Sequence, residues 1–193
     1  MEITTEVSSD VEKLLSLDKQ IRFATAKTLT DVAKEAQSAS IEAIQEHFIT
    51  RNNWYLPSNR YGVHIEPATK ENLQSAVKTD AYWLRPHETG EDKIPHHSQN
   101  IAVPTRNARP NPRQIIPSSL KPRNLVNAFV IKTRRGPVLF QRVGKLLVPL
   151  YGLEKRVSIR RESTVIEPTM KTVEQRLGKI FFENLRKALE TAK

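Results

Sequence analysis

The sequence predicts an α+β chain in which a long N-terminal helix and a C-terminal helix pack on a small antiparallel sheet, with a Pro-rich extended arm between them. Three observations predict it. Neither Gly nor Pro occurs in residues 1–56; seven of the twelve prolines crowd into residues 86–122; and short β-branched runs beyond residue 128 are punctuated by Gly136, Gly144 and Gly152.

The first helix is expected over residues 10–48. Leu14, Leu17, Ile21, Ala24, Thr28, Leu29, Val32, Ala36, Ala39, Ala43, Ile44 and Phe48 recur at i, i+3, i+4 spacing, which places them on one helical face. Ser9 followed by Glu12 fits a capping box at its start. The stripe changes from Leu and Ile to Ala along its length, so a second helix or a sheet can approach closely. Asn52, Asn53, Pro57, Ser58 and Asn59 end the pattern, and 61–68 with 73–78 read as a hairpin turning around Thr69 to Asn72.

Residues 86–124 form the basic arm. Proline removes backbone donors and turns the preceding residue away from helix, so this segment is expected to be extended, with a short strand at 101–103 and a helical turn or two at 118–127. Residues 128–160 then read as an antiparallel meander with strands at 128–132, 137–143, 146–151 and 156–159. Thr133 to Gly136 is its first hairpin turn, and Pro149 assigns its strand to an edge or a bulge. A terminal helix is expected over 168–191, with Pro168 in its first turn and a stripe of Val173, Leu177, Ile180, Phe181, Leu185, Ala188 and Leu189. The whole reads as a single α+β domain over 1–193.

The net charge is +10, and it is unevenly placed. Residues 1–50 hold nine acidic and five basic groups, whereas 101–150 hold ten basic groups and no acidic one. Arg106, Arg109, Arg113, Lys121, Arg123, Lys132, Arg134, Arg135, Arg142 and Lys145 therefore form a positive tract that would draw phosphates or acidic protein surfaces. Aromatic residues are scarce in 84–128, which argues against stacking on single-stranded bases.

Cysteine is absent, which removes disulfides, thiolate metal sites and cysteine nucleophiles. No run approaches the roughly 18 apolar residues of a membrane span, and the first residues lack the pattern of a signal peptide, so a soluble protein made in the cytosol is expected. No phosphate loop, HExxH or GxSxG motif occurs. Ser118 and Lys121 match SxxK without its companion motifs and read as a polar turn; His87, Glu88, Asp92, His96 and His97 match no usual zinc spacing and read as a solvated loop. Neither an enzyme activity nor a cofactor or metal is expected.

The order of these elements carries a resemblance. Residues 20–34 (Gln20 to Lys34), Phe129-Val130-Ile131, Phe140 to Val143, Val148-Pro149-Leu150, Val157-Ser158-Ile159 and the helix entered through Pro168 resemble the minor tail protein Z-like proteins of long-tailed bacteriophages, which are tail-completion or neck proteins. The likeness covers roughly 10–50 and 125–190, and residues 51–124 match least well. It implies a structural virion protein of the neck or proximal tail, assembled in the bacterial host cytoplasm. The implied partners are further copies in a homo-oligomeric ring, a hexamer or a multiple of one, and neighbouring neck, head-closure or tail-terminator proteins. Such a ring helps to join head to tail around the DNA path, with no membrane contact.

Two assignments of the basic tract follow. In one, Arg106, Arg109, Arg113, Lys121 and Arg123 form a partner-binding arm, ordered when it docks on an acidic neighbour. In the other, Arg134, Arg135 and Arg142 face the channel and touch DNA phosphates without sequence preference. The alternative function from charge alone is a sequence-independent nucleic-acid-binding protein.

Overall fold

The computed structural model describes residues 3–95, 98–109 and 115–191, with side chains from Leu15 onward. The chain is α+β. Where the sequence reads as one domain, it divides into two compact units, Met1–Tyr82 with Ser163–Lys193, and Trp83–Glu162.

The first unit is built on two helices, α1 (Ile3–His47) and α3 (Ile166–Glu190). α1 starts earlier than the capping signal at Ser9 indicates. The residues before it contain no helix breaker, so the helix runs through the cap site. Three contacts fix the packing: Ser40 with Thr169, Glu35 with Arg176, and Thr28 with Asn184. As α1 is followed backwards α3 is followed forwards, so the helices are antiparallel. Small residues make the close approach possible, with Ala24 and Ala36 fully buried and Ala188 2% exposed. The hydroxyls in this seam are satisfied locally: Thr28 donates to the Ala24 carbonyl and Ser40 to the Ala36 carbonyl, so neither is an orphan in an apolar contact.

The other side of α1 carries the hairpin of β1 (Val63–Glu66) and β2 (Ala76–Thr79), paired antiparallel with Val63 opposite Thr79. Gln37 donates to the Val63 carbonyl, and the Ala68 N–H donates to Thr30 Oγ1. Ile44 and Val63 are fully buried there, beside Tyr55 at 6% exposure. The loop before β1 is a run of tight turns, in which Leu56, Asn59 and Gly62 donate to the carbonyls of Asn53, Leu56 and Asn59. It brings the Leu56 carbonyl so near Gly62 that a Cβ there would lie 2.0 Å from the oxygen.

α3 begins two residues before Pro168, and Ser163 Oγ accepts the Glu167 N–H at its entry. Pro168 still falls in the first turn, where its missing N–H costs no hydrogen bond. Asn184, 5% exposed, donates to Thr28 and to the Asp31 carboxylate, placing a polar group at one level of the helix pair.

The second unit is a four-stranded antiparallel sheet. Its strands are β3 (Ile101–Pro104), β4 (Ala128–Thr133), β5 (Gly136–Val143) and β6 (Leu146–Glu154), in the spatial order β3-β6-β5-β4. A short helix, α2 (Arg85–Thr89), precedes it and ends at Gly90, whose φ of 75° is the left-handed conformation of a helix C-cap. Both hairpins have two-residue loops. In the first, Thr133 pairs with Gly136 and the positive φ of 117° falls on glycine. In the second, Gly144 takes φ 61° at the first loop position, as a type II′ turn requires.

Two strand expectations are corrected. Residues 156–159 make no strand and contribute a single bridge, Val157 with Lys93. The sheet's fourth strand is β3, from the Pro-rich segment. β6 is accordingly an interior strand, and Pro149 sits opposite Phe140 where the register shifts, at a bulge and not at an edge. Leu150 and Tyr151 are each 1% exposed, and successive strand residues point to opposite faces, so both faces of β6 are covered.

Candidate functional site

The basic residues of the second unit are the candidate site, and the fold sorts them into three places. Residues Arg106, Arg109, Lys121 and Arg123 lie on the segment that returns over the sheet. This segment is held down: Thr105 donates its N–H to the Leu150 carbonyl and its hydroxyl to the Pro149 carbonyl, Asn107 Nδ2 also donates to Pro149, and Tyr151 Oη donates to the Leu120 carbonyl at 2.7 Å. Ala108 is fully buried, and Ile116, Leu120 and Leu125 pack around Leu150 and Tyr151. The expectation of an arm ordered only on docking is corrected here for its described residues. Single apolar residues spaced among Pro and Arg show no period of 2 or 3.6, so their shared destination was not visible in the pattern.

Anchored in this way, Arg106, Lys121 and Arg123 are displayed as exposed groups on 3-10 turns (Arg106–Ala108, Ser118–Leu120 and Pro122–Asn124), and Arg109 is half-buried. Arg113 lies outside the described residues. Tyr151's phenol is pushed up by burial, with the Arg109 charge opposing, and so remains a donor. Ser118 belongs to the turn itself, because its carbonyl accepts from the Lys121 N–H and from Asn124 Nδ2.

Arg134 and Arg135 occupy the second place, the loop between β4 and β5. Thr133 shapes it by donating its hydroxyl to the Gly136 carbonyl and accepting the Arg135 N–H. Both side chains are exposed, and neither makes an ion pair among the described residues. Arg142 is in the third place, at the far end of β5, with its guanidinium 5.9 Å from the Phe129 ring centre. It lines an open depression with Asn127, Ala128 and Phe129. At about 3.3 Å per strand residue, roughly 20 Å of strand separates Arg142 from the arginine pair. The structure does not bring the three together.

The histidine loop is also partly placed. His87 is half-buried on α2, where burial pulls its pKa below 6.5; the Glu162 and Glu88 charges oppose this and Lys93 adds to it. The Glu162 N–H donates to the His87 carbonyl, and Arg161 Nε donates to the Glu88 carbonyl, so this stretch is folded against the 161–162 segment. His96 and His97 lie outside the described residues. Among the described residues no three His, Asp or Glu side chains are grouped as metal ligands.

The first unit contributes an open groove of about 640 Å³ between α1 and α3, with Glu42, Glu46, Glu167 and Lys171 among its lining residues. Deeper along the helix pair, Glu35 accepts two hydrogen bonds from Arg176, at 2.7 and 3.0 Å, and these hold its carboxyl below the usual range. Asp31 is pushed up by burial, but hydrogen bonds from Lys27 and Asn184 and the charges of Lys27 and Lys34 outweigh that and lower it. No helix is long and apolar enough to cross a membrane among the described residues.

Comparison with family models, curated proteins and solved structures finds no match to this chain.

Proposed function

We propose that the protein is a structural subunit of a bacteriophage neck or tail-completion complex, acting as a homo-oligomeric ring around the DNA path. One observation carries this reading. The residues that bear the resemblance fall, in the expected order, on α1, on the β4-β5-β6 meander, on the 157–159 segment that follows it and on α3, while the least similar stretch supplies β1, β2, α2 and β3. The display of charge supports it further: apart from Arg142 on β5, which lines an open depression, the described candidate basic groups stand on turns and a hairpin tip, as suits contacts with large partners. Ring copies, neck or tail-terminator neighbours and a virion location belong to the same proposal. The test is genetic and morphological. Particles made without this protein should be filled heads and separate tails, and normally joined virions would reject the proposal.

The second reading is sequence-independent nucleic-acid binding, favoured by the exposed Arg134 and Arg135 on one hairpin tip. Binding of duplex DNA should then weaken steeply with salt. Replacing both arginines with alanine should reduce the log-log salt slope by about 1.8, or roughly 0.9 per phosphate contact. A wild-type protein that fails to retard DNA at low salt removes this reading.

A further inference from the structure

Among the described residues, the helix pair of the first unit leaves two apolar stripes largely exposed. The α1 face that packs on α3 can be followed through Ser40, Val32 and Thr28 to Ala24, which lies level with Ala188, one turn beyond the contact of Thr28 with Asn184. α3 stops at Glu190, whereas α1 begins at Ile3. About 20 residues of α1, roughly 30 Å at 1.5 Å per residue, therefore run on past the end of α3. Leu17 and Ile21 continue the same stripe into this projection and are 42% and 40% exposed.

The second stripe is on α3, turned away from α1. Gly178, Phe182, Leu185 and Leu189 follow 4-3-4 spacing, the repeat of a helix-on-helix seam. Phe182 is 70% exposed and Leu189 44% exposed. A Cβ added at Gly178 would meet nothing within 4 Å, so a second helix has room to come close there. The face that meets α1 is a different one, carrying Ile180, Asn184 and Ala188.

Charge selects the occupant. Residues 1–20 carry five acidic groups against two basic ones. The exposed charges of α3 from Lys171 to Glu190 are Lys171, Lys179, Arg186 and Lys187 against Glu174, Glu183 and Glu190, with Arg186 paired to Glu190, so the border of the stripe keeps a positive balance. We propose that the projecting start of α1 in one copy docks on the Gly178 to Leu189 stripe of a second copy. Each copy then offers one donor and one acceptor surface, a head-to-tail contact that closes into a ring when its rotation permits. This names the contact within the ring proposed above and rests on that reading for its place in a virion.

Solution mass tests it with four samples of the full chain: wild type, Leu17→Glu with Ile21→Glu, Phe182→Glu with Leu189→Glu, and an equal mixture of the two variants. Wild type should sediment at multiples of 22.1 kDa, and each variant alone at 22.1 kDa. The mixture should stop at twice that mass, because one intact projection meets one intact stripe and both outer faces of the pair are spoiled. This rescue also shows that both variants are folded. The milder pair Leu17→Ser and Phe182→Ser should show the same pattern with weaker dissociation, which keeps the test decisive if a glutamate variant fails to fold. A monomeric wild type, a variant that keeps the wild-type mass, or a mixture of folded variants that stays monomeric overturns the proposal. None of these masses depends on the particle test, and a failed particle test leaves the masses to be read as they stand.

Discussion

Tyr151 joins the Pro-rich segment to the sheet, and removing its hydroxyl is the sharpest test of how that segment is held. The side chain is 1% exposed, and Oη donates to the Leu120 carbonyl at 2.7 Å. Tyr151→Phe keeps the ring and deletes only the donor. A neutral hydrogen bond contributes about 0.5–1.5 kcal/mol net, and a buried acceptor left without a partner costs more. Leu120 is half-buried, so water can reach part of the exposed loss, and the expected cost is about 1 kcal/mol. Tyr151→Ala also removes the ring from between Ala108, Leu120 and Leu139, and should cost about 3–5 kcal/mol. Urea unfolding measures both. Tryptic cleavage after Arg123, which is exposed but sits on a turn held close to Leu120, reads the local effect. In the Phe variant cleavage should accelerate by up to about fivefold, the factor that 1 kcal/mol corresponds to, if opening of the segment limits the reaction. An unchanged unfolding midpoint together with unchanged cleavage would refute the view that this hydroxyl ties the segment to its sheet.

Two further outcomes follow from single positions. Gly62→Ala should unfold the first unit or shift its turn, because its Cβ would be placed 2.0 Å from a backbone oxygen that no rotamer can move; loss of the cooperative helical melt would be seen by circular dichroism, and a wild-type melt would contradict the geometry. For His87 the folded-state pKa lies below the unfolded value of 6.5, so the unfolded chain binds more protons. The resulting stability is complete above that value and is lost as pH falls through it. The stability difference between wild type and His87→Gln should therefore shift against wild type between pH 7.5 and 5.5, and a pH-independent difference would show that burial does not penalise the imidazolium.

The placement of residues within helices was legible because one helical face recurs in sequence with a fixed period. Ala24, Thr28, Val32 and Ala36 were readable as one buried stripe, and all four are 3% exposed or less. Hairpin turns were legible for a similar local reason, since Gly136 and Gly144 supply positive φ angles at the positions that need them. The candidate site was readable only as a list. Arg134 and Arg135 could be assigned to a hairpin tip from Gly136 alone, but grouping them with Arg142 overlooked that adjacent turns of a meander lie at opposite ends of a strand.

The sequence by itself determined the local conformations: two long helices, short strands between glycines, and a tract whose charge is all of one sign. These depend on backbone propensity and on the spacing of neighbours along the chain. Tertiary structure decided the partners. β3 joins β6 across 47 to 53 residues of chain, and the same segment then returns Ala108 and Leu120 to Tyr151; such long-range pairing is fixed by which surfaces exclude water together, a quantity no local pattern contains. It also decided that α3 ends opposite Ala24 and leaves Leu17 and Ile21 exposed, so that one continuous stripe in the sequence becomes, in the folded chain, part core and part open surface.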